Sequence, residues 1–227
     1  MRYDPVAWPL FDLRVRTARL ELRPVDPELA FDLVALAVQG IHDPSFMPFD
    51  TGWTDQEPLE ILQNGLRFLW GQWATWAVDD WSLSWGVHLD GELVGTQSIE
   101  AKQFPTRRTF ETGSWVGQAF QGRGIGREMR AAVLHFGFVG LGGLRAETAA
   151  FPDNDASLAI TRGLGYADDG EHITVRRGER DKHLRFRLDR ADWEAATDRV
   201  DVAIEGLTPA GLALFGLGDD LGAIVPT

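Results

Sequence analysis

The 227-residue chain contains no cysteine. This absence excludes disulfide bonds, zinc sites built on thiolates and thiol nucleophiles, and it suits a cytoplasmic location. The chain also has no uninterrupted apolar run near the roughly 20 residues that cross a bilayer. Residues 1–13 carry two acidic side chains and two prolines, unlike a cationic and apolar signal peptide. We therefore expect a cytoplasmic protein that has no membrane partner.

Basic residues and histidines are scarce. There are 22 basic side chains against 34 acidic ones, which gives a net charge of −12. Because non-specific nucleic-acid binding needs a basic surface, this balance argues against a nucleic-acid partner and favours cationic partners such as an amine. The five histidines show no spacing typical of metal ligands. The composition therefore predicts neither a nucleic acid nor a metal ion as a ligand.

Tryptophan and glycine are abundant. The chain has nine tryptophans and 25 glycines, and seven of the tryptophans lie between residues 8 and 85. Tryptophan is mostly buried in folded proteins, so these side chains predict a core rich in aromatic rings. A substrate cavity with aromatic walls is the alternative, and the sequence leaves both open.

Changes in hydrophobic period divide the chain into predicted helices and strands. Helix starts are indicated by Asp26, which precedes a first-turn proline, and by the capping-box pair Thr54 and Glu57. A hairpin turn is indicated by Asp-Gly at residues 90–91. The predicted strands cover residues 19–23, 84–89, 93–99, 109–116, 144–149, 173–177 and 184–188, and the predicted helices cover residues 27–39, 55–76, 127–138 and 154–164.

These elements predict one mixed α/β domain at residues 1–196. Residues 197–227 form a C-terminal extension that is too short to be a domain of its own. The extension includes a glycine-punctuated apolar stretch at residues 212–224. We expect it to dock on the domain or to lie across the interface of a homo-oligomer.

A glycine-rich turn at residues 121–126 (Gln-Gly-Arg-Gly-Ile-Gly) connects a predicted strand to a predicted helix. Glycines let the backbone turn tightly and direct several N–H groups to one point, and the helix start adds a dipole that favours an anion. The turn therefore predicts a phosphate site, with a glycine turn that binds nothing as the alternative. It is not a P-loop, because Arg127 and Glu128 follow where that motif needs Lys and Ser or Thr. It also lacks the dinucleotide spacing Gly-x-Gly-x-x-Gly.

Four segments together resemble the GNAT superfamily of acyl-CoA-dependent N-acyltransferases. Residues 121–126 resemble its Gln/Arg-x-x-Gly-x-Gly/Ala signature, and residues 112–116 (Thr-Gly-Ser-Trp-Val) resemble its splayed fourth strand. Residues 154–166 resemble its helix with the pattern Asn-x-x-Ser … Leu-Gly-Phe/Tyr. Residues 19–24 resemble the opening strand of the branch that contains the Rim-type ribosomal-protein N-terminal acetyltransferases. The resemblance covers about residues 16–193.

The resemblance implies an α/β fold with a central, splayed, mixed sheet of about seven strands flanked by helices. Acyl-CoA would lie in the V-shaped gap, with its pyrophosphate on the glycine-rich turn and its pantetheine arm along the splayed strand. The implied activity is direct transfer of an acyl group, from acetyl-CoA or succinyl-CoA, to a primary amine of a small molecule, a protein N-terminus or a lysine. The residues that the resemblance assigns to CoA binding are Ser114, Trp115, Val116, Gln121, Gly122, Arg123, Gly124, Ile125, Gly126, Asn154 and Ser157.

The reaction needs a base for the ammonium group and a proton donor for the leaving thiolate. Many family members place a proton-donating tyrosine seven residues after the motif asparagine, where this chain has Thr161. Ser157 is the candidate donor, with cofactor binding alone as its alternative role. Glu111 is the candidate base, with an exposed strand residue of no function as the alternative. His42 and Asp43, in the loop after the first helix, are further candidates.

Two other functions stay open. The missing tyrosine permits a module that binds acyl-CoA without chemistry, and the glycine turn alone permits an unrelated nucleotide-phosphate binder, which the failed motif spacings disfavour. Among donors, a succinyl group would need a cation near the acyl end. The candidate cations are Arg67, Arg107, Arg108 and His42.

Overall fold

In the computed structural model, which describes residue 4 and residues 6–218, nine strands form one mixed sheet flanked by helices. The strands are β1 Arg14–Arg16, β2 Leu20–Pro24, β3 Asp80–Leu89, β4 Glu92–Lys102, β5 Thr109–Val116, β6 Arg145–Ala150, β7 Ala167–Arg176, β8 Glu179–Asp189 and β9 Ala203–Glu205. The helices are α1 Pro27–Val38, α2 Pro58–Ala74, α3 Phe104–Arg107, α4 Ile125–His135, α5 Asp155–Gly163, α6 Arg190–Ala195 and α7 Pro209–Leu214. The predicted mixed α/β fold with a central sheet is confirmed.

The sheet opens between β5 and β6. The strand order is β7-β8-β6-β5-β4-β3-β2-β1-β9, and within the described residues β5 and β6 are the only neighbours that run parallel. Their pairing covers three residue pairs and ends at Glu111 and Glu147. Just beyond, Thr148 Oγ1 donates a hydrogen bond to the carbonyl oxygen of Thr112 at 3.1 Å. Residues 112–116 then pair with β4 alone, so a V-shaped gap separates the two strands.

The sheet is larger than the seven or so strands that the sequence predicts. The additional strands are β1 and β9, which have three residues each. Such segments are too short for a two-residue alternation to be recognised. They are strands because β1 pairs antiparallel with both β2 and β9. Counted along the chain, residues 112–116 therefore belong to the fifth strand, β5, rather than to the fourth.

The starts of the first two helices show one prediction that holds and one that fails. The Asp26 carboxylate accepts hydrogen bonds from two first-turn N–H groups at 2.8 and 3.0 Å, which confirms the predicted cap of α1. The predicted capping box of Thr54 and Glu57 is wrong, because residues Trp53–Asp55 form a separate 3₁₀ turn. Instead, Glu57 caps α2 and forms the capping box with Glu60. Among the described residues, no helix has the length and apolar character needed to cross a membrane.

The larger part of the core lies between the sheet and α4. It includes Trp81 and Trp85, which are 2% and 0% exposed, so the core interpretation holds for these two tryptophans. A smaller cluster packs α1 and α2 against the opposite face of the sheet, where it includes Leu33 and Leu69. The cleft described below opens between this second layer and the splayed strands.

The described part of the C-terminal extension docks on the body of the protein. Its strand β9 extends the sheet at β1. Phe215 is fully buried and packs edge-on against Trp76 and Trp81, with ring centroids 5.4 and 4.8 Å apart. Trp76 Nε1 also donates a hydrogen bond to the carbonyl oxygen of Leu214 at 2.8 Å. The end of the extension, residues 219–227, lies outside the described residues.

Candidate functional site

A cleft of about 1040 Å³ lies at the gap between β5 and β6. It is lined by residues 111–116 of β5, the glycine-rich turn, the first turns of α5 and, on the far side, α1, α2 and the loop between these helices. Ten of the eleven residues to which the sequence assigns CoA binding line this one cleft. The exception is Arg123, whose guanidinium donates a hydrogen bond to the Ala119 carbonyl oxygen at 3.0 Å and lies over the Phe120 ring.

The glycine-rich turn forms the open end of the cleft. Gln121 Nε2 holds the turn in place by donating to the carbonyl oxygens of Val116 at 2.8 Å and Ile41 at 2.7 Å. Gly122 and Gly124 have φ angles of +74° and +78°, a conformation that side chains with a Cβ rarely adopt. Gly124 is the N-cap of α4, whose first N–H groups have no acceptor within the helix. The turn therefore directs N–H groups and the positive end of a helix dipole towards the cleft, where an anion binds favourably.

An ion pair at the start of α4 removes a charge that would oppose an anion. Glu128 lies in the first turn, and its carboxylate receives hydrogen bonds from the Arg19 guanidinium at 2.5 and 2.8 Å and from Thr17 Oγ1 at 2.5 Å. Arg19 Nη1 also donates to the Arg123 carbonyl oxygen at 3.3 Å. Sequence reasoning missed this role of Arg19, because the contact joins residues more than 100 positions apart. The result is a fixed helix start in which the charge of Glu128 is neutralised.

The start of α5 forms another wall of the cleft. Asn154 Oδ1 accepts a hydrogen bond from the Ser157 backbone N–H at 3.1 Å, so Asn154 is the N-cap of the helix. Both side chains line the cleft. Thr161, one turn further on, is completely buried and its hydroxyl accepts a hydrogen bond from Arg130. The structure thus brings Ser157 into the cleft and leaves Thr161 behind its wall.

Arg130, which the sequence analysis did not single out, lies at the base of the gap. It is only 4% exposed and lines the cleft from α4. Its Nη1 donates to Thr161 Oγ1 at 2.8 Å, and its Nη2 donates to Ser114 Oγ at 3.3 Å. Burial lowers the pKa of Arg130. A sequence signal for Arg130 does exist. Gly126, Arg130 and Leu134 follow at four-residue spacing, which places Arg130 on a buried face of α4.

Three carboxylates form a row across the sheet at the closed end of the V. Glu111 on β5 lies opposite Glu100 on β4 and opposite Glu147 on β6, so all three side chains share one face. Desolvation and the charge of Glu111 raise the pKa of Glu100 and of Glu147. We call Glu100, Glu111 and Glu147 the carboxylate row. The row concentrates negative charge at this end of the cleft.

The other two candidate bases have local partners. The His42 ring contacts the Asp43 carbonyl oxygen through Nδ1 at 2.8 Å and Thr54 Oγ1 through Nε2 at 2.7 Å. The Asp43 carboxylate accepts hydrogen bonds from the backbone N–H and the hydroxyl of Ser45, which lower the pKa of Asp43. Both residues therefore stabilise the loop that borders the cleft.

The loop between α1 and α2 is held over the cleft by the β7–β8 hairpin. Arg177 at the tip of the hairpin donates to the Asp55 carboxylate at 2.6 and 2.8 Å and to the Pro44 carbonyl oxygen at 2.8 Å. On the inner side, the Trp53 ring lies 6.4 Å from the Trp115 ring, and both line the cleft. The aromatic-wall interpretation therefore holds for these two tryptophans.

The four cations proposed for a succinyl donor do not line one common cavity. Arg67 and Arg107 line a second cavity of about 680 Å³, which is also lined by the carboxylate row and which shares Glu100 and Glu111 with the main cleft. Arg108 donates to the carbonyl oxygens of Pro105 and Leu141. His42 is the member of this set that lines the main cleft. Within the described part of the chain, no cluster of three or more His, Cys, Asp or Glu side chains could hold a metal ion.

A mixed sheet that splays beside a glycine-rich helix start is the architecture expected of a CoA-dependent N-acyltransferase. Residues 19–167 match the sequence model of the acetyltransferase (GNAT) domain. Because this match covers more than half of the chain, the protein belongs to the GNAT acetyltransferase family and is an acyl-CoA-dependent N-acetyltransferase.

Solved structures of the Rim type share the fold. RimJ from Mycobacterium smegmatis, in complex with CoA-disulfide, is 23% identical with a TM-score of 0.68 over 86% of this chain and 97% of its own. RimL, a ribosomal L7/L12 α-N-protein acetyltransferase in complex with CoA, is 18% identical with a TM-score of 0.61 over 76% and 95%. The ribosomal-protein-S5-alanine acetyltransferase from Vibrio fischeri is 17% identical with a TM-score of 0.62 over 79% and 98%. At identities below 25%, the predicted resemblance to Rim-type proteins is confirmed at the level of the fold.

Proposed function

We propose that this N-acetyltransferase transfers the acetyl group of acetyl-CoA to the α-amino group of a protein N-terminus by direct attack in a ternary complex. The observation that carries the proposal is the arrangement of one cleft. An anion-binding turn lies at its open end, and Glu111 lies at its closed end, where β5 and β6 meet. A pantetheine arm that enters at the turn would bring its thioester towards this carboxylate.

The seat for CoA follows from groups that the fold leaves available. The backbone of residues 122–126 would bind the pyrophosphate at the start of α4. Ser114, Trp115 and Val116 pair with β4 on one edge, while their other edge faces the gap because β6 has diverged. This main-chain edge would bond the pantetheine amides as a neighbouring strand would. Asn154 caps α5 through its oxygen, and its amide nitrogen can donate to the arm.

In the proposed reaction, Glu111 accepts the proton of the ammonium group, directly or through one water. Glu111 passes this proton to water. The neutral amine then attacks the thioester carbonyl carbon and the C–N bond forms, after which the nitrogen loses its second proton to Glu111 and the C–S bond breaks with its electron pair on sulfur. Ser157, at the first turn of α5, donates a hydrogen bond to the leaving sulfur. Most of the acceleration then comes from positioning and from backbone N–H groups that polarise the carbonyl.

Acetyl is the acyl group that the cleft favours. A succinyl donor ends in a carboxylate, which needs a cation at the acyl end. Arg67 and Arg107 line the other cavity, and both ring nitrogens of His42 have partners. The carboxylate row at the closed end would repel a second carboxylate.

A protein N-terminus is the acceptor that fits the carboxylate row and the aromatic wall. An α-amino group has a pKa near 7.7–8.0, against about 10.4 for lysine, so it loses its proton to a carboxylate more easily. The Trp53 and Trp115 rings would pack against the residues that follow the amine. RimL is an α-N-protein acetyltransferase and the Vibrio fischeri enzyme a ribosomal-protein-S5-alanine acetyltransferase, which supports the same acceptor class here.

The test uses the purified protein, acetyl-CoA and two matched peptides. One peptide has a free N-terminal amine and no lysine, and the other has the same residues with a blocked N-terminus and one lysine. We expect release of the CoA thiol and acetylated product with the first peptide alone. Turnover confined to the lysine peptide would show the acceptor to be wrong. Binding of acetyl-CoA without thiol release from either peptide, or from a panel of small amines, would show a module that binds without chemistry.

A further inference from the structure

Arg130 is a buried cation without a counter-charge. Its guanidinium donates to two neutral hydroxyls, Thr161 Oγ1 and Ser114 Oγ, and its Nε has no hydrogen-bond partner. Among the residues that the structure describes, no carboxylate forms an ion pair with it. Burying a charge without a partner is strongly unfavourable, so such a residue persists where it serves a purpose other than stability.

The position of Arg130 restricts what it can bind. Ser114 lies on β5 and Thr161 on α5, so the guanidinium spans the gap between two walls of the V. Arg127, which also lines the cleft, is ion-paired with Asp198 at 2.7 Å and donates to the Gly163 carbonyl oxygen. Of these two arginines, Arg130 is the one without a carboxylate partner among the described residues, and it lines the cleft between β5 and α5.

The reaction places negative charge on two atoms in this interior: transiently on the carbonyl oxygen, which the backbone N–H groups polarise, and then on the sulfur, which leaves as a thiolate. When the amine nitrogen bonds to the carbonyl carbon, the C–S bond breaks and its electron pair stays on sulfur, while the nitrogen proton passes to Glu111 and then to water. The phosphates would lie at the glycine-rich turn, and Arg130 is six residues further along α4 than Gly124, about 9 Å along the helix axis. The pantetheine amides are neutral. The thiolate is therefore the negative charge that Arg130 can meet.

We propose that Arg130 stabilises the CoA thiolate, so that the cleft binds the leaving group with its negative charge facing this guanidinium. The inference rests on the proposed seat of CoA between β5 and β6. It gives the enzyme a positively charged group for the leaving sulfur, with Ser157 as the hydrogen-bond donor beside it.

Other ionisable groups surround Arg130, and the test must separate their titration from that of the CoA thiol. Tyr166 lies against Arg130, and burial raises the pKa of this phenol, which keeps it neutral. The charged or titratable groups on α4 and on the elements packed against it are Arg14 and Arg16 on β1, Arg19 in the β1–β2 turn, Glu21 and Arg23 on β2, Glu92, Glu100 and Lys102 on β4, Glu111 on β5, Asp155 and Arg162 on α5, and Arg127, Glu128 and His135 on α4 itself. Each is present whichever ligand is bound.

The test compares CoA with desulfo-CoA, which carries the same phosphates and lacks the sulfur. Affinities are measured by calorimetry from pH 6.5 to 9.5. A free thiol has a pKa near 8.5. Each unit by which the site lowers the pKa of the bound thiol makes the site bind the thiolate tenfold more tightly relative to the thiol. With the wild-type protein, the affinity for CoA should rise about tenfold relative to desulfo-CoA over this range. In this test, the gap is this pH-dependent difference between the affinities for CoA and for desulfo-CoA. In Arg130→Met the gap should vanish, and kcat should fall about 100-fold with little change in the KM for acetyl-CoA.

Matched variants make the outcome decisive. Arg127→Met removes a cation from the same helix and should change both affinities alike while the gap stays. Arg130→Lys keeps a charge and should restore part of the gap. If wild-type protein binds CoA and desulfo-CoA with the same pH dependence, the proposal for Arg130 is wrong while the seat for CoA stands. If neither ligand binds, both the seat and this inference are wrong. Loss of turnover with succinyl-CoA alone, at an unchanged gap, would assign Arg130 to the acyl group and overturn the proposal.

Discussion

Glu111→Gln should make the protein more stable and less active. Glu111 lies between two carboxylates on one face of the sheet, so its charge repels Glu100 and Glu147. Cross-strand side chains start about 5 Å apart at their Cβ atoms. At a charge separation of about 6 Å in nearly aqueous surroundings, each pair repels by about 0.7 kcal/mol. Removing the central charge should therefore raise the free energy of unfolding by about 1 kcal/mol at pH 7 and low salt.

The pH dependence has a defined sign. Burial and repulsion raise the pKa of Glu100 and of Glu147 in the folded protein, so the folded state binds more protons there than the unfolded state does. Stability is therefore lost as pH rises above the ordinary glutamate range near 4.3 and through the raised pKa values. The advantage of Glu111→Gln should be present at pH 7 and should disappear near pH 4. At 1 M salt, where the screening length is about 3 Å, most of it should disappear at pH 7 as well.

Urea denaturation of wild-type and variant protein at two pH values and two salt concentrations measures these effects. Glu92→Gln is the matched control, because this glutamate is exposed at the start of β4 and its cross-strand partner is Leu89. We expect the control to change stability by less than about 0.5 kcal/mol. In parallel, the pH–rate profile of Glu111→Gln should move to higher pH, because solvent must then deprotonate the ammonium group. A Glu111→Gln protein that is less stable at pH 7, or equally stable at both salt concentrations, would falsify the repulsion argument.

Three further predictions concern the cofactor turn, the leaving group and the extension. Gly124→Val should abolish CoA binding measured by calorimetry, because valine disfavours a φ of +78°. The control Gly91→Val strains a turn with a φ of +86° that does not line the cleft, so it should lower stability without affecting CoA affinity. Unchanged affinity in folded Gly124→Val would refute the seat for the pyrophosphate. Ser157→Ala should lower kcat about 10–100-fold with little change in the KM for acetyl-CoA, and a change in KM alone would assign Ser157 to cofactor binding. Phe215→Ala should lower the free energy of unfolding by about 3–5 kcal/mol, because its ring is fully buried against Trp76 and Trp81. A loss below about 1 kcal/mol in denaturant unfolding would show that the extension adds little to the core.

The elements that the sequence predicts well are those whose own residues determine them. Asp26 followed by a first-turn proline sets the start of α1 whatever surrounds it. Asp90 and Gly91 adopt positive φ values in the hairpin turn for the same local reason. The glycine-rich turn is likewise recognisable, because glycines at fixed spacing before an amphipathic helix leave few other structures. Local signals of this kind do not depend on distant partners.

The features that the sequence did not predict depend on contacts between distant segments. Strand β9 is a strand because β1 offers it an unpaired edge, and β1 lies about 190 residues earlier in the chain. The anchoring of Glu128 by Arg19 joins the β1–β2 turn to α4. Arg177 holds the loop over the cleft through Asp55, more than 100 residues away. Charged residues at such positions carry no periodic signal, so their partners become visible only in the folded chain.

The charges around β5 match the direction in which charge moves during the reaction. Successive residues of a strand point to opposite faces, and Glu111 and Ser114 are three positions apart. Glu111 therefore faces the second layer of α1 and α2, while Ser114 faces α4 and contacts Arg130 there. Acyl transfer removes positive charge from the amine and places negative charge on sulfur. In the proposed mechanism, Glu111 loses its repulsion with Glu100 and Glu147 when it takes up the amine proton, and Arg130 gains a counter-charge when the thiolate forms. Both charges are unfavourable in the empty enzyme. Glu111 and Arg130 should therefore lower the free energy of unfolding and raise kcat. Replacing either residue with an uncharged one should raise the free energy of unfolding and lower kcat.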